Sequence, residues 1–140
     1  MARPTATPAR SAAAVPPFGP VRFLYVGSAD VGRDLAPWLA AGATVVWDKE
    51  AFGTRVAAVR VAGDGPLVLL AGHRPSPSML PVVQAADLKT AVKALKAAGW
   101  STEGQGFEIP NGPCRLMKDG SGNEWALFQD VRPDPFGAGE

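Results

Sequence analysis

One spacing recurs along the chain and limits what it can fold into. Val26-Gly27-Ser28-Ala29-Asp30 aligns with Val83-Gln84-Ala85-Ala86-Asp87, a constant offset of 57 positions that carries residue 26 onto residue 83. The same offset carries Ala40-Ala41-Gly42 onto Ala97-Ala98-Gly99, Gly65 onto Gly122 and Leu70 onto Leu127. Matching punctuation at one spacing indicates one supersecondary unit used twice. A chain of 140 residues has room for two such units in one domain, with a core that needs no disulfide or structural metal.

The first unit opens with Val21 to Val26, rich in strand-forming residues. Asp30 is a good helix N-cap, and Val31, Leu35, Trp38 and Leu39 follow at helical spacing until Gly42. Pro37 lies inside that pattern and is expected to kink the helix or delay its start. Three strands follow, at Thr44 to Trp47, Arg55 to Val61 and Leu67 to Leu70, separated by Gly53 and Gly63-Asp64-Gly65. The second unit repeats the plan. Val82 to Gln84 is its strand. Asp87 caps a helix with Leu88, Val92 and Leu95 on one face and Lys89, Lys93 and Lys96 on a wet one. Phe107 to Ile109, Cys114 to Met117 and Trp125 to Phe128 are the remaining strands. Asp119 to Asn123 turns the last hairpin. No helix follows that turn and no further carboxylates accompany it, which sets aside a phosphate or calcium loop.

Residues 1–20 read as an Ala/Pro-rich disordered tail and 131–140 as a loose C-terminal tail. The domain is expected over 21–130, with repeats at about 21–72 and 80–130. The formal net charge of +1 provides no electrostatic footprint for nucleic acid. No apolar run approaches the roughly 20 residues of a membrane span. A single cysteine, Cys114, forbids an internal disulfide and suits a reducing cytoplasm. With no second histidine to pair with it, Cys114 reads as a small buried hydrophobe.

These residues resemble the vicinal oxygen chelate superfamily, which includes glyoxalase I, bleomycin-resistance proteins and extradiol dioxygenases. The echoes are Phe23-Leu24-Tyr25-Val26-Gly27, Ala85-Ala86-Asp87-Leu88 and the ending Lys118 to Leu127, where Gly120 replaces the usual proline. The resemblance covers nearly all of Val21 to Gln129. It implies an α+β fold in which two βαβββ half-repeats form a cupped mixed β-sheet, with helices on the convex side and ligand in the concave side. It also implies a homodimer.

Metal-dependent members take His, Gln or Glu ligands from the first and last strand of each unit. The resemblance carries those positions onto Phe23, Leu80, Leu69 and Ala126, none of which can donate a lone pair. The expectation is therefore no metal and no cofactor.

Strand alternation then predicts the cup lining. Tyr25 follows Phe23, Gln84 follows Leu80, and Glu124 and Phe128 flank Ala126. His73 shares that face only if the strand through Leu69 extends so far. An exposed loop position is the favoured reading of Gly72-His73-Arg74-Pro75. Trp47 and Phe52 are further stacking candidates, as are Trp100 and Phe107, although core packing is commoner for each. Arg55 and Arg60 read as solvated or paired. An apolar, aromatic cup with few polar groups suits a small organic ligand. The first functional reading is a metal-free sequestering or resistance-type binding protein. The alternative is a glyoxalase- or dioxygenase-like enzyme, metal-dependent through unrecognised ligands or metal-free through Tyr25, His73 or Glu124 as acid–base groups. The third is a ligand-free accessory domain.

Overall fold

A computed structural model describes residues 18–132. The expected tails lie largely outside them, at 1–17 and 133–140. The chain runs β1 (Phe18–Gly27), α1 (Val31–Ala40), β2 (Thr44–Ala51), β3 (Thr54–Arg60), β4 (Leu67–Ala71), β5 (Met79–Ala85), α2 (Leu88–Ala97), β6 (Ser101–Ile109), β7 (Gly112–Lys118) and β8 (Glu124–Gln129). All eight strands form one open sheet in the order β2-β3-β4-β1-β5-β8-β7-β6. Each βαβββ unit therefore supplies four adjacent strands, and β1 and β5 join the units antiparallel at the centre.

The two halves pair alike. β1 runs parallel to β4 with Tyr25 opposite Leu69, and β5 runs parallel to β8 with Val82 opposite Ala126, the partners 57 positions on. Alternation sorts the side chains onto two faces. Ala57, Val59, Val68 and Leu70 meet Val31 and Leu35 of α1. Ala85, Met117 and Leu127 meet Ala91 of α2. Both helices thus cover the convex side, and the residues between, such as Leu69 and Phe128, form a separate core on the concave side.

Asp30 and Asp87 cap the helices as the sequence implies, accepting from the backbone N–H of Arg33 and of Lys89 and Thr90. Pro37 does not delay the start of α1, which runs from Val31 with Pro37 inside it. It sits on the exposed face, as does Arg33, whose carbonyl has no N–H at position 37 to accept from. Other differences from expectation lie at the ends of elements, where β2 runs on to Ala51 and β5 starts at Met79. β1 begins at Phe18, inside the segment expected to be tail, with Phe18 opposite Ala85. Pro20 is tolerated because β4 pairs only from Phe23 onward and the β5 register shifts there. β6 begins at Ser101, not Phe107, because the polar, glycine-containing stretch before Phe107 pairs with β7 through a register shift. Finally, Val131 and Arg132 are tied down: both backbone N–H groups donate to the Asn111 carbonyl at 2.9 Å.

Candidate functional site

Phe23, Leu69, Leu80 and Ala126 converge in the concave core together with Phe128. Leu69 and Leu80 are 3% exposed and Ala126 1%, so these side chains bury one another as the floor of the cup. The Phe23 and Phe128 rings lie 5.4 Å apart. A cation at these positions would meet only hydrocarbon, and the residues do not fit the metal that the fold family implies. Among the described residues, no three of His, Cys, Asp and Glu gather as they would around a metal ion.

Above one end of this floor lies a cavity of about 300 Å³ lined by Tyr25, Phe52, His73, Arg74, Leu80, Phe107, Glu108 and Leu116. His73 departs from the exposed loop position favoured for it. The turn after β4 brings its ring 5.7 Å from Tyr25, edge to face, and 4.6 Å from Phe52. Ring contact outweighs local turn chemistry here. Phe52 reaches it from the β2–β3 hairpin, where Phe52 (φ 56°) and Gly53 (φ 80°) both have positive φ between the paired Ala51 and Thr54. Such two-residue turns favour Asn-Gly, and an aromatic residue there is strained. Phe52 is also 46% exposed. Backbone strain that holds an exposed ring against a cavity is a mark of a functional position.

Of the residues predicted from sequence, Tyr25, Phe52, His73, Leu80 and the stacking candidate Phe107 line the cavity. Phe23, Leu69, Ala126, Phe128 and Trp47 pack in or against the core beneath it. Gln84 lies elsewhere: Arg22 Nη1 donates to its Oε1 at 2.7 Å. Glu124 does not line the cavity but acts on it, accepting from Arg74 Nη2 at 3.0 Å. Sequence reasoning missed Arg74, Glu108 and Leu116. Leu116 was within reach, since it pairs with Ala126 and continues that face one strand over. Arg74 lies in a loop and Glu108 on an edge strand, and tertiary pairing decides what those face.

The site's electrostatics favour neutral groups. Burial pushes the Tyr25 hydroxyl up to about 12, with Cys114 adding and Arg74 opposing, so it stays a donor. Burial, then the neighbouring Arg74, holds the His73 imidazole below its usual range, leaving it neutral near pH 7. Burial raises the Cys114 thiol to about 12, too high for a nucleophile at neutral pH. His73 Nδ1 and Arg74 Nε are buried without a hydrogen-bond partner. Each is a buried polar atom left unsatisfied within the protein.

No family model matches the sequence, and no curated protein matches it. Among solved structures, methylmalonyl-CoA epimerase from Mycobacterium tuberculosis is similar at a TM-score of 0.70 and 15% identity, over 89% of this chain and 96% of that one. A second methylmalonyl-CoA epimerase superposes at 0.68 and 12% identity, over 85% of this chain and 100% of that one. A glyoxalase/bleomycin resistance protein/dioxygenase superfamily member from Vibrio splendidus 12B01 gives 0.55 and 13%, over 78% and 97%. The chain has the vicinal oxygen chelate fold.

Proposed function

We propose that this protein binds a small aromatic organic molecule in the cavity bounded by Tyr25, Phe52 and His73, without a metal ion, and sequesters it. The observation that carries the reading is the strained, exposed Phe52 with its ring tilted against His73, 4.6 Å away, over a hydrocarbon floor. The cavity sits at the small end of the roughly 300–1,000 Å³ typical of ligand pockets. Aromatic walls suit a planar ligand. Tyr25 and Arg74, both in the cavity lining, bring a hydroxyl and a guanidinium that suit an oxygen acceptor on it. The single cysteine favours a reducing, cytoplasmic setting, and the fold favours a homodimer, which light scattering measures directly.

The test pairs metal analysis of the purified protein with a tryptophan-quenching screen of small oxygenated aromatics. Substoichiometric divalent metal is expected, together with a binder whose affinity falls about threefold to tenfold in His73→Ala, the worth of one or two ring contacts. Stoichiometric iron, zinc, nickel or manganese would overturn the metal-free reading. A binder indifferent to His73→Ala would overturn the placement.

A second reading, a metal-free acid–base enzyme, is favoured by one observation: the buried Nδ1 of His73 lacks a partner. Such an enzyme needs the neutral imidazole as base, so its rate would fall as pH drops through the lowered pKa of His73. A screen in which bound aromatics are recovered unchanged at every pH supports sequestration instead.

A further inference from the structure

Outside the cup, a larger cavity of about 540 Å³ opens between α2 and the β6–β7 hairpin. Its apolar lining includes Leu88 and Val92 of α2, Phe107 of β6 and Pro113 of β7. Its cationic lining is Lys89, Lys93, Lys96 and Arg115. The sequence opens this groove at Gly104 (φ 64°) and Gly106, where the β6–β7 register shifts between the Glu103–Leu116 and Phe107–Cys114 pairs.

The charges around it are unbalanced. Among the described residues, none of the three lysines has an ion-pair partner. The one carboxylate in the lining, Glu108, is already held by the Arg132 guanidinium. Arg115 donates from Nη2 to the Gly104 carbonyl at 2.8 Å, while its Nε is buried without an acceptor. A chain with formal net charge +1 thus gathers four cations around one cavity. Like charges three and four residues apart destabilise a helix, so the row on α2 costs stability unless an anion offsets it. The lysines remain solvent-exposed, but they form the rim of a hollow and not the plain wet face expected from the sequence.

We propose that this groove is a second binding site, for a small anionic amphiphile free in solution. Its apolar body lies on Leu88, Val92, Phe107 and Pro113. Its carboxylate or phosphate meets Lys89, Lys93, Lys96 and the Arg115 guanidinium.

The test is an amide chemical-shift titration of the full chain with decanoate below its micelle concentration. Decanol and phosphatidylglycerol vesicles serve as comparison arms. Saturable shifts centred on Lys89, Val92 and Arg115 are expected. Affinity should fall roughly tenfold in the Lys89→Gln/Lys93→Gln/Lys96→Gln variant, as three modest ion pairs imply, with similar losses for decanol and at high salt. Glutamine keeps the helix propensity of lysine, and a melting midpoint no lower than the parent's verifies the fold of the variant. Shifts centred on Tyr25 and Leu80, decanol binding as tightly as decanoate, or an unaffected triple variant would each overturn the site. Engagement of vesicles without free decanoate would assign the cations to a membrane surface and overturn it equally.

Discussion

Phe52 sets local conformation against a ring contact, and substitutions separate the two. An L-residue other than Gly, Asn or Asp held at positive φ pays about 1–2 kcal/mol, whereas Asn tolerates this region through local hydrogen bonding. Phe52→Ala and Phe52→Asn both remove the contact with His73, and only Asn relieves the backbone. Phe52→Asn should therefore be more stable than Phe52→Ala by about 1 kcal/mol in urea denaturation, while both lose cup-ligand affinity. Equal stabilities would show that the turn stores no strain at this residue. The same position shows what local sequence can and cannot reveal. Ala51-Phe52-Gly53-Thr54 has a glycine but not the Asn-Gly pair that marks a tight hairpin, so the turn type was hidden. The facing of Phe23, Leu69, Leu80 and Ala126 came from the family resemblance, and strand alternation, which admits only two choices, carried it on to Tyr25 and Phe128. Arg74 and Glu108 obey no such periodicity.

At the scale of elements, the β7–β8 hairpin is organised by one side chain. The Asp119 carboxylate accepts from the Trp125 indole N–H at 3.1 Å, from the side chain and backbone of Asn123 at 3.0 and 2.9 Å, and from the Ser121 backbone at 2.9 Å. These bonds, led by that from Trp125, hold its pKa down to about 2. Because the folded pKa lies below the unfolded value of about 3.9, the stabilisation is complete above the unfolded value and disappears as pH falls through about 2. Asp119→Ala should lower the melting midpoint at pH 6, and the gap to the parent should close between pH 4 and pH 2. A gap that stays constant over that range would remove the carboxylate from this role. The sequence marks this turn clearly, because Asp, Gly, Ser and Asn each favour turn conformations. It marks β6 poorly, because Ser101 to Gly106 is polar and carries two glycines. Only pairing with β7 makes that segment a strand. α1 shows the converse case: Pro37 is a strong local breaker, yet the helix starts on time at Val31 and continues past it, with Val31 and Leu35 packed on the sheet.

The whole molecule is two units that share one core. Each unit owns a helix-side cluster: Val31, Leu35, Val68 and Leu70 in the first, and Ala85, Ala91, Met117 and Leu127 in the second. The concave core belongs to neither. Phe23, Val56 and Leu69 come from one unit, and Leu80, Ala126 and Phe128 from the other. The β1–β5 ladder, with Tyr25 opposite Leu80 and Phe23 opposite Val82, holds the units together. A unit cut from its mate exposes half of that core and an unpaired central strand. It is also near the size at which a single small core is marginal. Fragments 1–75 and 76–140 should therefore each lack a cooperative thermal transition at micromolar concentration and bind an apolar-surface dye. Mixing them should restore a single transition and expel the dye, as expected when complementary apolar faces recombine. The offset of 57 foretells the likeness of the two units but not their interdependence, because a repeat written once or twice reads the same locally. Only the sheet order β2-β3-β4-β1-β5-β8-β7-β6 places both first strands at the centre, where each covers the other's edge. A sharp transition in either fragment as a monomer would mean that the helix-side clusters suffice, and that the concave face can be opened without cost to the fold.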